Sequence, residues 1–499
     1  MTRIGTRATA GGIVALLLTF GGPVPGWAAA APPAGHAWYP SLALSDLPDS
    51  AIGQPPVQHG WQPPPVDMDL VAPASTPAAP EAYQKKYGCG QTNGAVLTGV
   101  PPAQAMLNIG DAQKISTGKG VTVAVIDTGV NKQSFLGGRL TGGGDYVDPS
   151  TVNNGTVDCD GHGTITAGIV AANTRGAGLG FTGVAPDATI MAIRQTSQAY
   201  VTTGESPIGA GNTASLAEAI RHAVDAGARV ITTSVDECIP VPQPGTPIQL
   251  SAGDRELQAT VHYAVQHDVV VVNSAGNTGS GKCQNTPQNS DPDPNLVNQI
   301  QVPALFADDV LSVASVDPAS SSVTSFSVWG PWISVAAPGE GIVSIDPAAG
   351  SSGLANLYAE PGASKPNAIE GTSFAAPYVA GLAALLRAKY PAMSAREIMY
   401  RIEATAQHPS GPGGRNNQIG YGIIDPVAAL TALIPGQNGV PKPTTTAIRA
   451  QVPNSGDDDA LPLDVALLGA AGAAALLLVL FFVVRTRRSR MDSRVTPRR

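Results

Sequence analysis

Charge is scarce in this 499-residue chain: Asp, Glu, Lys and Arg together make up 13% of it. A coiled coil and a highly charged disordered polypeptide both need far more, so both are excluded. Lys and Arg number 29 against 37 Asp and Glu, a net charge of −8 that speaks against a nucleic-acid partner. The basic residues cluster only in the C-terminal tail. Cysteine is rarer still, four in all, and no two stand in a CxxC spacing. That disfavours zinc and suits two disulfides in an exported chain. No metal-ligand constellation stands out, no cofactor is implied, and nothing repeats internally. Gly (57) and Pro (44) are abundant. The length fits a globular core with Pro-rich flanks.

The two ends carry address and anchor. Arg3 and Arg7 precede an apolar stretch from Gly11 to Phe20, then Gly21, Gly22, Pro23 and Pro25, then Ala28, Ala29 and Ala30. This charged, apolar, small-residue order is that of a secretory signal, set at 1–30. Val465 to Val484 is an uncharged run that spans roughly 30 Å as a helix, one bilayer crossing, and the membrane segment is set at 463–484. Asp457, Asp458 and Asp459 precede it, and Arg485, Arg487, Arg488, Arg490 and Arg494 follow. By the positive-inside rule the tail, 485–499, is cytoplasmic and the rest lies outside. Residues 31–104 form an N-terminal extension whose first part, to about 88, is rich in Pro and Ala without periodicity. It holds Trp38, Tyr39 and Trp61 as candidate docking points. Residues 433–460, with Pro435, Pro441, Pro443 and Pro453, read as a linker to the membrane.

Between these lies the domain, 105–432. Val121 to Ile126, Thr189 to Ile193, Arg229 to Val235, Val269 to Asn273, Val310 to Val316 and Ile333 to Ala337 are β-branched apolar runs. Ala214 to Ala226, closed by Gly227, and Glu256 to Gln266 have helical spacing. The alternation predicts an α/β domain, a mostly parallel sheet covered by helices on both faces, with its chemistry at the carboxyl ends of the strands. Long insertions at about 196–213, 239–255 and 279–302 exceed ordinary loops.

Four motifs fall where that architecture puts chemistry. The first run ends in Asp127-Thr128-Gly129. His162-Gly163-Thr164 opens a small-residue helix, Ile165 to Ala172, with glycine on both sides of the histidine. A histidine so flanked is open to a substrate backbone; the other six, His36, His59, His222, His262, His267 and His408, read as structural. Gly371-Thr372-Ser373 opens a long apolar helix to about Tyr390, and Ser274-Ala275-Gly276-Asn277 ends another run. A serine at a helix start is ordinarily a cap. The chain order Asp, His, Ser, however, is that of one particular convergent triad.

On these four motifs the chain resembles the subtilisin-like serine proteases (peptidase family S8) over about 105–432. The fuller plan, with signal, Pro-rich extension, two Cys pairs and membrane helix, resembles the mycosins, anchored proteases of type VII secretion systems. The resemblance implies a three-layer subtilisin fold. It also implies an extracytoplasmic serine endopeptidase with Ser373 as nucleophile, His162 as base, Asp127 as its orienting carboxylate and Asn277 as oxyanion donor. Protein or peptide would lie extended along Thr233, Ser234 and Val235, with Ala275 and Gly276 opposite. Three positions depart from the family pattern: Asp236 and Glu237 stand where glycines are common, and Ile165 stands where a second histidine is. In a sheet of that family, the loops bearing Cys238 and Cys283 leave neighbouring strands. The implied pairing is Cys238 with Cys283 and Cys89 with Cys159, one of three formally open. The alternative is a structural subunit of a membrane complex with proteolysis secondary; an adhesive module is disfavoured, since it would not require the triad.

Overall fold

The computed structural model describes residues 62–148, 154–204, 207–241, 248–279, 283–285, 289, 297–410, 412–437 and 460–492. The signal segment, Trp38, Tyr39 and Trp61 of the extension, His36, His59, most of the linker and the end of the basic tail lie outside them.

The apolar runs become strands of one seven-stranded parallel sheet: β1 (Thr122–Asp127), β2 (Leu140–Asp145), β3 (Thr189–Arg194), β4 (Val230–Thr233), β5 (Val270–Ser274), β6 (Leu311–Val316) and β7 (Val335–Pro338). Their spatial order is β7-β6-β5-β4-β1-β3-β2. Central strands of this kind are covered on both faces, which is why their runs show no polar alternation; β5, β6 and β7 are buried at every position. The chain leaves β1 toward one edge, returns, and crosses to β4 on the other side. The reversal of direction therefore lies between β1 and β4, where open α/β sheets leave a crevice. Register places Ile126 beside Thr233, and Val272 of β5 beside Thr232.

Two helices carry the remaining motifs. Helix α1 (His162–Ala171) is buried from Gly163 onward. Helix α4 (Thr372–Lys389) is buried from Thr372 to Arg387 and packs against α1 and the central strands. Helices α2 (Thr213–Asp225) and α3 (Ala252–Gln266) pack on each other. Helix α3 starts four residues before the expected Glu256, because Ser251 and Asp254 form a capping box that recruits Ala252 and Gly253 into the first turn. The expected strand Arg229 to Val235 stops at Thr233, so Ser234 and Val235 leave the ladder as they reach the crevice. Strand β2 was not foreseen: its Thr-Gly-Gly-Gly interior offers no side chains to pattern, and its pairing shifts register between Gly142 and Gly144.

The insertions carry small antiparallel pairs. Within 196–213, Ser197–Thr202 pairs with Gly209–Ala210 on one side and with Tyr83–Lys85 of the extension on the other. Glu237–Pro240 pairs with Gln299–Val302. The described part of the extension thus lies on the domain. Gln258 Nε2 donates to the Pro64 carbonyl at 2.6 Å, the Ala72 N–H donates to Thr260 Oγ1 at 2.9 Å, and Arg255 stands 3.6 Å from Asp67. Disulfides join Cys89 to Cys159 (Cα separation 4.7 Å) and Cys238 to Cys283 (5.1 Å).

Residues 433–499 make a separate unit. Its helix, Ala460–Asp492, contains Leu467–Arg488, long and apolar enough to cross a membrane, with a mean hydropathy of 2.7. Between Leu467 and Val484 its large apolar side chains face outward, Leu468 being 73% exposed.

Candidate active site

Asp127 is the last residue of β1, His162 the first of α1 and Ser373 the second of α4; all three meet at the crevice. His162 Nδ1 stands 2.7 Å from Asp127 Oδ1, and His162 Nε2 stands 2.9 Å from Ser373 Oγ. The chain of contacts runs outward from a carboxylate 2% exposed to an imidazole 18% exposed. The cap of α4 is Gly371, not Ser373, so the serine hydroxyl is not spent on capping its own helix.

Local sequence explains why these groups meet. Thr128 N–H donates to Asp127 Oδ1 at 2.7 Å, fixing the carboxylate against its own turn. Thr128 Oγ1 accepts from Gly163 N–H at 2.9 Å and donates to Asp158 Oδ1 at 2.8 Å. Asp158 also accepts from Gly161 N–H and from the Thr164 N–H and hydroxyl. One buried carboxylate therefore locks the turn after β1 to the start of α1. Burial pushes its pKa up to about 7 against those four donors. A side chain at Gly163 would collide with the Gly129 carbonyl, so only glycine lets the histidine turn close on the aspartate turn. The sequence does not single out Asp158: an aspartate four residues before the histidine carries no signal on its own.

Burial alone would lower the basicity of His162. The Asp127 charge and hydrogen bond outweigh it, with Asp158 and Glu360 adding, and its pKa is pushed up to about 9. Phe374 lies against the imidazole with ring centroids 4.8 Å apart.

Asn277 approaches the serine from the other side. Its Oδ1 accepts from the Thr372 N–H at 3.0 Å and the Thr372 hydroxyl at 3.1 Å, which fixes the amide orientation and turns Nδ2 away. A methyl added at Gly371 would stand 3.1 Å from Ser373 Oγ and 3.6 Å from Asn277 Nδ2, so those two atoms flank one small space. A carbonyl entering there would meet a nucleophilic oxygen, a proton acceptor behind it and an amide donor.

The cleft beside His162 has a volume of about 240 Å³ and is lined by Ser234, Val235 and Asp236 on one side and by Asp160, Gln198 and Tyr358 on another. Thr233 and Ala275 are buried, and Gly276 adopts φ +91°. The structure therefore brings all four motif residues together, with Ser234 and Val235 at the cleft wall. Sequence reasoning missed Gln198 and Tyr358, which come from an insertion and from the stretch preceding the serine motif.

The Subtilase family (Peptidase S8) profile matches residues 118–422. Mycosin-4 of Mycobacterium tuberculosis is 36% identical over 436 residues, 86% of this chain and 91% of that one. The crystal structure of MycP1 from Mycobacterium smegmatis superimposes with a TM-score of 0.67 at 37% identity, covering 77% of this chain and 98% of that one. A chain in the structure of an intact ESX-5 inner membrane complex gives a TM-score of 0.67 at 33% identity, covering 85% and 100%. The chain belongs to the subtilase family of serine proteases and is similar, within it, to the mycosins.

Proposed function

We propose that the chain is a membrane-anchored extracytoplasmic endopeptidase working through Ser373, His162, Asp127 and Asn277. The observation that carries this reading is the unbroken contact path Asp127, His162, Ser373 at 2.7 and 2.9 Å, with the Asn277 amide beside its end. Ser373 Oγ adds to the scissile carbonyl as its proton passes to His162 Nε2. Asp127 holds the Nδ1 proton and stabilises the imidazolium. Asn277 Nδ2 donates to the oxyanion, and His162 then returns its proton to the leaving amine. Water repeats the sequence on the acyl-enzyme and frees Ser373.

Labelling of the intact chain with a fluorophosphonate tests the reading directly. Loss of label in Ser373→Ala is expected; labelling elsewhere would reassign the nucleophile. The acid–base requirement gives a second check. His162 acts only when neutral, and its raised pKa moves that form to higher pH. The ascending limb of kcat/KM is expected above pH 6.5, toward 9. In Asp127→Asn the limb should fall to lower pH, because the charge that raises the imidazole pKa is gone. A limb at or below 6.5 in the unaltered enzyme would contradict this reading of the electrostatics.

The anchor is the Leu467–Arg488 helix. Arg485, Arg487 and Arg488 at its carboxyl end put that end in the cytoplasm by the positive-inside rule. The domain plan of this reading is 1–30 as signal, 31–104 as extension, 105–432 as peptidase, 433–460 as linker, 463–484 as span and 485–499 as cytoplasmic tail. Similarity to the ESX-5 chain over 85% of this chain favours a second role beside proteolysis, as a structural subunit of a type VII membrane complex. Complementation with Ser373→Ala separates the two: restored secretion would make the scaffold role sufficient.

The extension reads as a permanent belt rather than a removable inhibitor. Its hold on α3, its strand pairing and its disulfide all lie along the domain. Trimming residues 31–80 is expected to lower the melting temperature by several degrees while leaving kcat/KM within about threefold, since among the described residues the cut removes contacts on α3 and none to Ser373. A tenfold rise in activity on trimming would instead make the extension an inhibitor.

A further inference from the structure

Asp236 lines the cleft and has no part in the reaction. Asp236 follows the cleft-lining Ser234 and Val235 and stands where glycine is usual in related proteases. Its Oδ2 accepts the backbone N–H of Asn277 at 3.2 Å. A side chain at Gly276 would press on Asp236 Oδ2 and Cβ, so the carboxylate covers the glycine directly. The two walls expected to hold an extended substrate are thus bridged by a carboxylate.

We infer that Asp236 selects a lysine or arginine side chain at the substrate residue whose carbonyl is attacked, an inference that rests on the peptidase reading above. That carbonyl sits between Ser373 Oγ and Asn277 Nδ2. The side chain one bond away from it points between Ser234-Val235 and Ala275-Gly276, toward the group bonded to Asn277 N–H. The other acidic groups in the cleft are already engaged. Asp127 holds His162, and Asp160 accepts from the Ser197 hydroxyl and from Gln198 and Ala199 N–H. No lysine or arginine lines the cleft among the described residues. Burial raises the pKa of the Asp236 carboxyl, opposed by backbone hydrogen bonds and by no cation. A carboxylate desolvated in this way gains most when a substrate cation arrives to pair with it. A lysine or arginine stem also suits the slot, since its methylenes would lie along Val235 while its head meets the carboxylate that covers Gly276.

The test is equilibrium binding to full-length Ser373→Ala protein in detergent, which needs no turnover. Two fluorescent peptides, Ala-Ala-Pro-Lys-Ala and the same sequence with norleucine for lysine, differ only in the charged head. The lysine peptide is expected to bind at least about tenfold tighter, and Asp236→Asn in the same background should bring the two within about twofold. Equal binding of the two peptides, or a lysine preference that survives Asp236→Asn, would overturn the inference. Tighter binding of an alanine peptide than of either would show that Asp236 fills the slot rather than reads charge, and would overturn it as well. The comparison of peptides on protein that retains Asp236 stands even if the Asn variant folds poorly. Fluorophosphonate labelling of Ser373 in the unaltered chain judges the peptidase reading separately.

Discussion

Ser373→Ala is expected to lower kcat by about five to six orders of magnitude and to leave a folded protein. The hydroxyl bonds only to His162 within the described site, so its removal leaves no buried donor stranded. His162→Ala should cost about as much, and the double variant hardly more, because a nucleophile without its base and a base without its nucleophile do the same nothing. Single-turnover kinetics with a chromogenic peptide give the numbers, and circular dichroism gives the fold. Additive losses in the double variant would mean that the two side chains act in separate steps, and the 2.9 Å contact would then have no mechanistic meaning.

The second large effect concerns Asn277. Replacing it with alanine removes one donor to the oxyanion and is expected to lower kcat about 10²- to 10³-fold, with KM little changed, since the donor acts on charge that develops only after attack. Thr372 supplies a control. Its N–H and hydroxyl both hold Asn277 Oδ1, so Thr372→Val keeps the amide but drops one of the two restraints. A loss of about tenfold, intermediate between the unaltered enzyme and Asn277→Ala, is the expected outcome. If Asn277→Ala keeps kcat within threefold, the oxyanion is held elsewhere.

What the residues made legible, and what they did not, follows from how far each signal reaches along the chain. Thr122–Asp127 and Val270–Ser274 were evident because strands buried on both faces are apolar without interruption. Strand β2 was invisible because Gly142, Gly143 and Gly144 present no side chains to read. The start of α3 lies in the Ser251-x-x-Asp254 spacing, but Gly253 inside the first turn is a poor helix former and weakens the local helical pattern. Strand Ser197–Thr202 could not be read at all, since one of its partners, Tyr83–Lys85, lies more than a hundred residues upstream in a segment of flank-like composition. At the site, each motif announced its own residue type and turn. Asp158 announced nothing, because its role consists of donors from Thr128, Gly161 and Thr164 that only tertiary structure assembles. Asp236 stands out in the sequence as a departure from pattern; its place above Gly276 arises only from the tertiary fold.

A peptidase confined with copies of itself is its own nearest hazard, and the two disulfides bear on that. Cys89–Cys159 closes a ring across 70 positions of sequence, and Cys238–Cys283 closes one across 45. A cut inside either ring opens the loop without releasing a fragment, so both new ends stay tethered close to where they began. The first ring contains Asp127, and the second contains Asn277. Self-digestion at an exposed turn within either ring would yield a nicked but covalently continuous molecule, and gels run with and without reductant would separate the two.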